Sequence, residues 1–123
     1  MALNLSINAP PALVMAALST PEGLSAWWVH TCAFHRGVYY FAFANGEKGQ
    51  AKALEISRLH FALEVLQAPV PWRSVRLRWE LAAVRGHTRV TLHHTGDIDP
   101  HPLLDALKRF CESERDSFGV SCG

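Results

Sequence analysis

Seven histidines, three cysteines and eleven acidic residues are the groups in this chain with chemical potential, so their spacing is the first question. His30, Cys32 and His35 crowd into "HTCAFH", and His93 is followed directly by His94. A metal site needs three or four convergent ligands. The first cluster matches no standard ligand spacing and reads as a polar loop, while neighbours on a strand point to opposite faces. No metal and no cofactor is expected. General acid–base catalysis needs a titratable group aimed into a site. Alternation along the strands read below puts Glu55, Glu64 and Glu80 on an outward face. The inward polar set is then Tyr39, Thr88 and His94, with Lys52 either at a cavity mouth or displaced by a bulge. Tyr39 and His94 are an acid–base pair or simply core groups bonded to backbone. No nucleophile–base–acid constellation is visible, and no catalytic residue is assigned.

These side chains have to be positioned by elements. Residues 2–8, "ALNLSIN", alternate apolar and polar as a half-buried strand does. "PPALVMAAL" opens with proline, which a first helical turn tolerates, and carries Leu13, Ala17 and Leu18 at helical spacing. In "TPEGLSAWW" Thr20 suits a cap, Pro21 the first helical position and Glu22 the positive end of the helix dipole. Leu24, Trp27 and Trp28 then follow at i, i+3 and i+4, so both indoles turn to one face.

From Gly37 the period becomes two. "GVYYFAFANG", "QAKALEIS", "LHFALEVLQ", "WRSVRLRWELAA" and "HTRVTLHHTG" read as five strands of an antiparallel meander. Tyr39, Phe41 and Phe43 share a face, as do Leu54 and Ile56, then Leu59, Phe61, Leu63 and Val65. Val75, Leu77, Trp79 and Leu81 are in phase, and so are Thr88, Val90, Leu92 and His94. "PHPLLDALKRFCESER" stripes Leu103, Leu104, Leu107, Phe110 and Cys111 along an amphipathic helix. The sheet has one apolar and one charged side, and helices must cover the apolar one. That side is rich in aromatics, which either fill an ordinary core or leave room for a guest.

Composition narrows the function classes. The 123 residues suit one domain, expected over 1–116 with a flexible tail at 117–123. Hydrophobic residues at 49% against 19% charged are globular proportions, and a net charge of +1 without a basic run argues against nucleic acid. The odd cysteine count with no CxxC pair disfavours a disulfide framework and suits a reducing cytoplasm. No apolar stretch is long enough for a membrane span, and the apolar N-terminal segment lacks the basic residues of a secretion signal.

Taken together, P-E-x-L-x-x-W-W at Pro21–Trp28 and T-x-V-x-L-x-H-x-G at Thr88–Gly96, in this order of elements, resemble the SRPBCC (START-like) superfamily, in particular its AHSA-type branch. The resemblance covers about residues 5–110. It implies an α+β helix-grip fold of order β-α-α-β-β-β-β-β-α. In that fold a curved antiparallel sheet wraps a C-terminal helix around an internal apolar cavity. Relatives of this kind bind lipids, sterols or polyketides, and some are cyclases, dehydratases or hydrolases. Where family members often open the last helix with Gly-Trp, this chain has "DIDPHPLLDALKRF". A hydrophobic small molecule is therefore the expected partner, held by Trp27, Trp28, Tyr39, Phe41, Phe43, Phe61, Leu63, Leu77, Trp79, Thr88, Val90, His94 and Leu107. A cyclase- or dehydratase-type enzyme in the same cavity is one alternative. A co-chaperone-like module using the convex-face stripe of Arg76, Arg78, Arg89 and His93 is another. The assembly is expected to be a monomer or homodimer.

Overall fold

The computed structural model describes residues 2–69 and 72–122, with side chains described as far as Arg115. Strand β1 (Ala2–Ile7) leads into helices α1 (Pro11–Ser19) and α2 (Pro21–Trp27). Six strands follow: β2 (Thr31–His35), β3 (Val38–Ala42), β4 (Lys48–Ile56), β5 (His60–Gln67), β6 (Arg76–Val84) and β7 (His87–His94). Helix α3 (His101–Cys122) completes the chain. The strands form one antiparallel sheet in the order β1-β7-β6-β5-β4-β3-β2. Strands β2 to β7 are thus a simple meander, and β1 returns to close its far side against β7.

The sheet has one strand more than the sequence reading expected. "HTCAFH" is not a polar loop: Cys32 and Phe34 pair with Phe41 and Tyr39 as the edge strand β2. An edge strand has one partner and little to bury, so burial does not alternate along it. The hairpin is made by Arg36 and Gly37, with φ of 51° and 80°. Two positive φ values in a two-residue loop match the right-handed twist of the strands it joins. Arg85 and Gly86 repeat the device between β6 and β7, at φ 48° and 88°.

Strand β4 supplies a second correction. Register shifts between Gln50 and Ala51 and between Ala53 and Glu55 mark bulges. Each extra residue reverses the parity that follows it. Ala51 and Ala53 therefore face Val65 and Leu63 on the apolar side, while Lys52 lies opposite Glu64 on the charged side. Leu54, expected inward, and Ile56, at the strand end, are each 49% exposed. The bulge alternative, not the cavity-mouth one, accounts for Lys52.

The core lies between the apolar side of the sheet and the three helices. Ile7, Val14, Leu18, Phe61, Val90, Leu92 and Leu107 are fully buried, and Trp79 is 2% exposed. Helix α3 lays Leu103, Leu104, Leu107 and Cys111 into it, as the stripe predicts. The helix extends beyond the expected stretch, its backbone running to Cys122 through most of the segment assigned to a tail, while its side chains from Asp116 onward and residue 123 lie outside the described residues. Among the described residues, no helix is long and apolar enough to cross a membrane.

Candidate functional site

Helix α2 is short, and three features set its position. Thr20 Oγ1 accepts the Gly23 N–H at 2.9 Å, Pro21 occupies the first turn, and Glu22 lies at the positive end of the helix dipole. Gly23 allows α2 to lie against α1, because a Cβ there would stand 2.7 Å from Ala17 Cα. Trp27 Nε1 then donates to Ala17 O at 2.8 Å, fastening the end of α2 to α1.

This placement turns both indoles onto the sheet, as the i, i+3, i+4 spacing requires. Leu24 is buried between them, while Trp27 and Trp28 remain half-buried. Their rings stack, 6.2 Å apart at 24°. Trp27 meets Trp79 edge-on at 6.4 Å, and Trp28 packs on Phe41 at 5.4 Å and Phe43 at 6.4 Å. Trp72, 5.6 Å from Trp28, completes the cluster. Sequence reasoning placed Trp72 in a strand and not at the site; in the structure it precedes β6 in an irregular connection that periodicity does not resolve.

Behind the two indoles is an enclosed void of about 10 Å³. Of the expected residues, Trp27, Trp28, Phe61, Leu63, Leu77 and Trp79 line it, and Leu18, Leu24 and Leu103 complete the wall. That volume is about one water-sized sphere. Phe41 and Phe43 support Trp28 from outside the void, whereas Val90 and Leu107 are fully buried elsewhere in the core.

The inward polar groups divide sharply. Tyr39 donates its hydroxyl to Ser19 O at 2.6 Å, and Thr88 donates to Ala9 O at 2.8 Å. Both are used as fasteners to backbone. His94 is different: its Nδ1 stands 3.4 Å from Thr95 O, and its Nε2 is buried with no partner. His94 is the cross-strand neighbour of Leu77 but is not among the residues that line the void; it lines an open groove together with Arg78, His93 and Thr95.

Nothing inward is poised as a nucleophile. Burial, reinforced by Glu22, pushes the Cys32 thiol up to about 11. Burial, with Glu112 and Glu114 nearby, takes Cys111 to about 12, and burial with Cys32 nearby raises Tyr39 to about 12. A reactive cysteine needs the opposite shift. The glutamates face outward as parity predicts: Glu64 and Glu55 pair with Arg76 at 3.0 Å and Arg78 at 3.2 Å, and Glu80 is hydrogen-bonded to His93 Nε2 at 2.6 Å. His30 and His35 are exposed on either side of Cys32, and no three potential metal ligands converge among the described residues.

No protein-family model matches the sequence, and no curated protein matches it. The likeness is structural. Protein XoxI from Bacillus cereus superposes with a TM-score of 0.71 at 12% identity, over 90% of this chain and 94% of that one. The Aha1 dimer from Colwellia psychrerythraea gives 0.64 at 19% identity, over 99% and 91%. The fold, an antiparallel sheet gripping a C-terminal helix, is the one these structures share. The di-domain ARO/CYC protein StfQ of the steffimycin biosynthetic pathway reaches a TM-score of 0.74 at 12% identity. It matches 94% of this chain and 46% of its own, so this helix grip spans about half of that protein's length. At such identities the likeness establishes the fold.

Proposed function

We propose that this helix-grip protein binds an uncharged, largely apolar small molecule between its sheet and α3, behind Trp27 and Trp28. The observation that carries this reading is a stacked indole pair left half-buried over a void, where α2, α3 and the sheet converge. Ordinary core aromatics would be fully buried; these form a wall that solvent reaches from one side. Aromatic and aliphatic lining with few polar groups is the usual character of a small-molecule site.

The void of about 10 Å³ admits no guest as it stands. Uptake requires α2 to move away from the sheet. Its seven residues are tied to α1 by the Trp27 bond, and α1 in turn to β3 by the Tyr39–Ser19 bond, so opening breaks one of these two bonds. Tyr39 and Thr88 already have backbone partners, so the residues that line the void offer a guest apolar contact. Apolar contact supplies most of the affinity, at roughly 25 cal/mol per Å² before the costs of binding. Among the described residues, Glu55, Glu64 and Glu80 face outward and burial raises the Cys32 and Cys111 thiols, which favours binding over turnover. A homodimer is an assembly to test alongside, since an Aha1 dimer shares the fold.

Native mass spectrometry of freshly purified protein, followed by organic extraction, tests the reading. A recovered apolar compound, or displacement of a neutral dye such as Nile red, is the expected result. An empty protein that takes up no neutral dye would overturn it.

A further inference from the structure

An open groove of about 480 Å³ lies along the charged face of the sheet, lined by Leu54, Glu55, Ala62, Arg76, Arg78 and His93, and reaches Leu77, His94 and Thr95 where β6 meets the end of β7. Its origin can be read from the register. One row crosses four strands as Glu55, Ala62, Arg78 and His93, each the cross-strand partner of the next. Ala62 is the short member of a row of long side chains, so it forms the floor; it is 6% exposed even though it faces outward. The bulge between Ala53 and Glu55 brings Leu54 to the rim, 49% exposed on a charged face. Bulges commonly re-aim a side chain in this way beside functional sites.

We infer that this groove binds a small amphipathic monocarboxylate, independently of any guest in the interior. Its apolar body would lie on Ala62 and Leu54, and its carboxylate would meet the Arg78 guanidinium, with Arg76 beside it. The geometry is already rehearsed by the protein's own carboxylates: Arg78 Nη1 holds Glu55 Oε1 at 3.2 Å, and Arg76 Nε holds Glu64 Oε2 at 3.0 Å. Both members of the Arg78–Glu55 pair are about half-exposed, and such pairs contribute little net stability. An incoming carboxylate therefore displaces Glu55 at small cost and adds the apolar contact that Glu55 lacks. One negative charge suits the groove; a dianion would be opposed by Glu55 and Glu64. His93 is engaged by Glu80 at 2.6 Å and bounds the row.

Octanoate and 1-octanol, titrated separately into isotope-labelled protein, distinguish this site from the interior by which amide resonances move. Octanoate is expected to shift the row from Glu55 to His93, and octanol is not. R78Q weakens octanoate by up to about fivefold, the scale of one half-exposed ion pair. A62L fills the floor and abolishes the row shifts, while E55Q removes the competitor and tightens octanoate. Arg78 and Glu55 are about half-exposed, so thermal unfolding of R78Q and E55Q should stay near that of the parent. The inference fails if octanoate leaves the row unmoved, if octanol moves it equally, or if R78Q and E55Q leave octanoate affinity unchanged. Octanol shifts confined to Trp27, Trp28 and Trp79 would speak for the interior site alone and against this one.

Discussion

The two ends of the sheet–helix interface are built differently. At the β1 end, Thr88 is fully buried and bonded to Ala9 O, and Ile7, Val14 and Val90 are fully buried around it. Helix α3 is fastened there by three contacts: Glu112 Oε2 accepts the Asn8 N–H at 2.8 Å, Lys108 Nζ donates to Ser6 O at 3.1 Å, and Arg115 donates to Asn8 Oδ1 at 2.9 Å. At the other end the closure is aromatic: Trp27 and Trp28 stack over a small void, and Trp72 tilts against Trp28. Bonds to α3 fix one end of the grip, while at the other the indole pair, fastened to α1 through Trp27, meets the sheet by non-directional contact. Local opening concentrates where contacts are few and exposed, so the aromatic end is the one suited to admit a guest.

Four substitutions sharpen that contrast, in order of expected effect. Trp79→Ala removes a buried indole shared by sheet and void, and should cost about 3–5 kcal/mol in chemical denaturation. Thr88→Val leaves the Ala9 carbonyl buried without its donor and should cost about 1–3 kcal/mol; equal stability would mean the fixed end is not held by that bond. Trp28→Ala, at a half-buried site, should cost less than Trp79→Ala while abolishing uptake of a neutral dye, and a loss as large as that of Trp79 would contradict the division of roles. Glu64→Gln on the outer face should change stability by about 0–1 kcal/mol, read as a small shift in the urea midpoint, with dye uptake unaltered.

Much of this was legible in the sequence, and particular residues explain the remainder. Helical spacing at Leu24, Trp27 and Trp28 placed both indoles inward, and strand parity placed Glu55, Glu64 and Glu80 outward. The strand β2 was missed because its residues do not alternate apolar and polar and are mostly exposed, although the Arg-Gly dipeptide at its end recurs at the turn from β6 into β7. Leu54 and Lys52 were misassigned or left open because a bulge shifts parity without leaving a composition signal. Trp72 joined the cluster through a connection with no period to read. The void's size depends on how large side chains interdigitate, which no one-dimensional pattern records.

The most direct test of the central claim is the set of tryptophan indole N–H resonances as a neutral ligand such as 1-decanol is added. The four tryptophans are separate reporters placed at different depths. Binding behind the indole pair predicts saturable shifts at Trp27, Trp28 and Trp79, with Thr88 and its neighbours unmoved. If the three indoles stay where they are throughout the titration, the aromatic end is only the edge of a filled core, and the binding account is wrong.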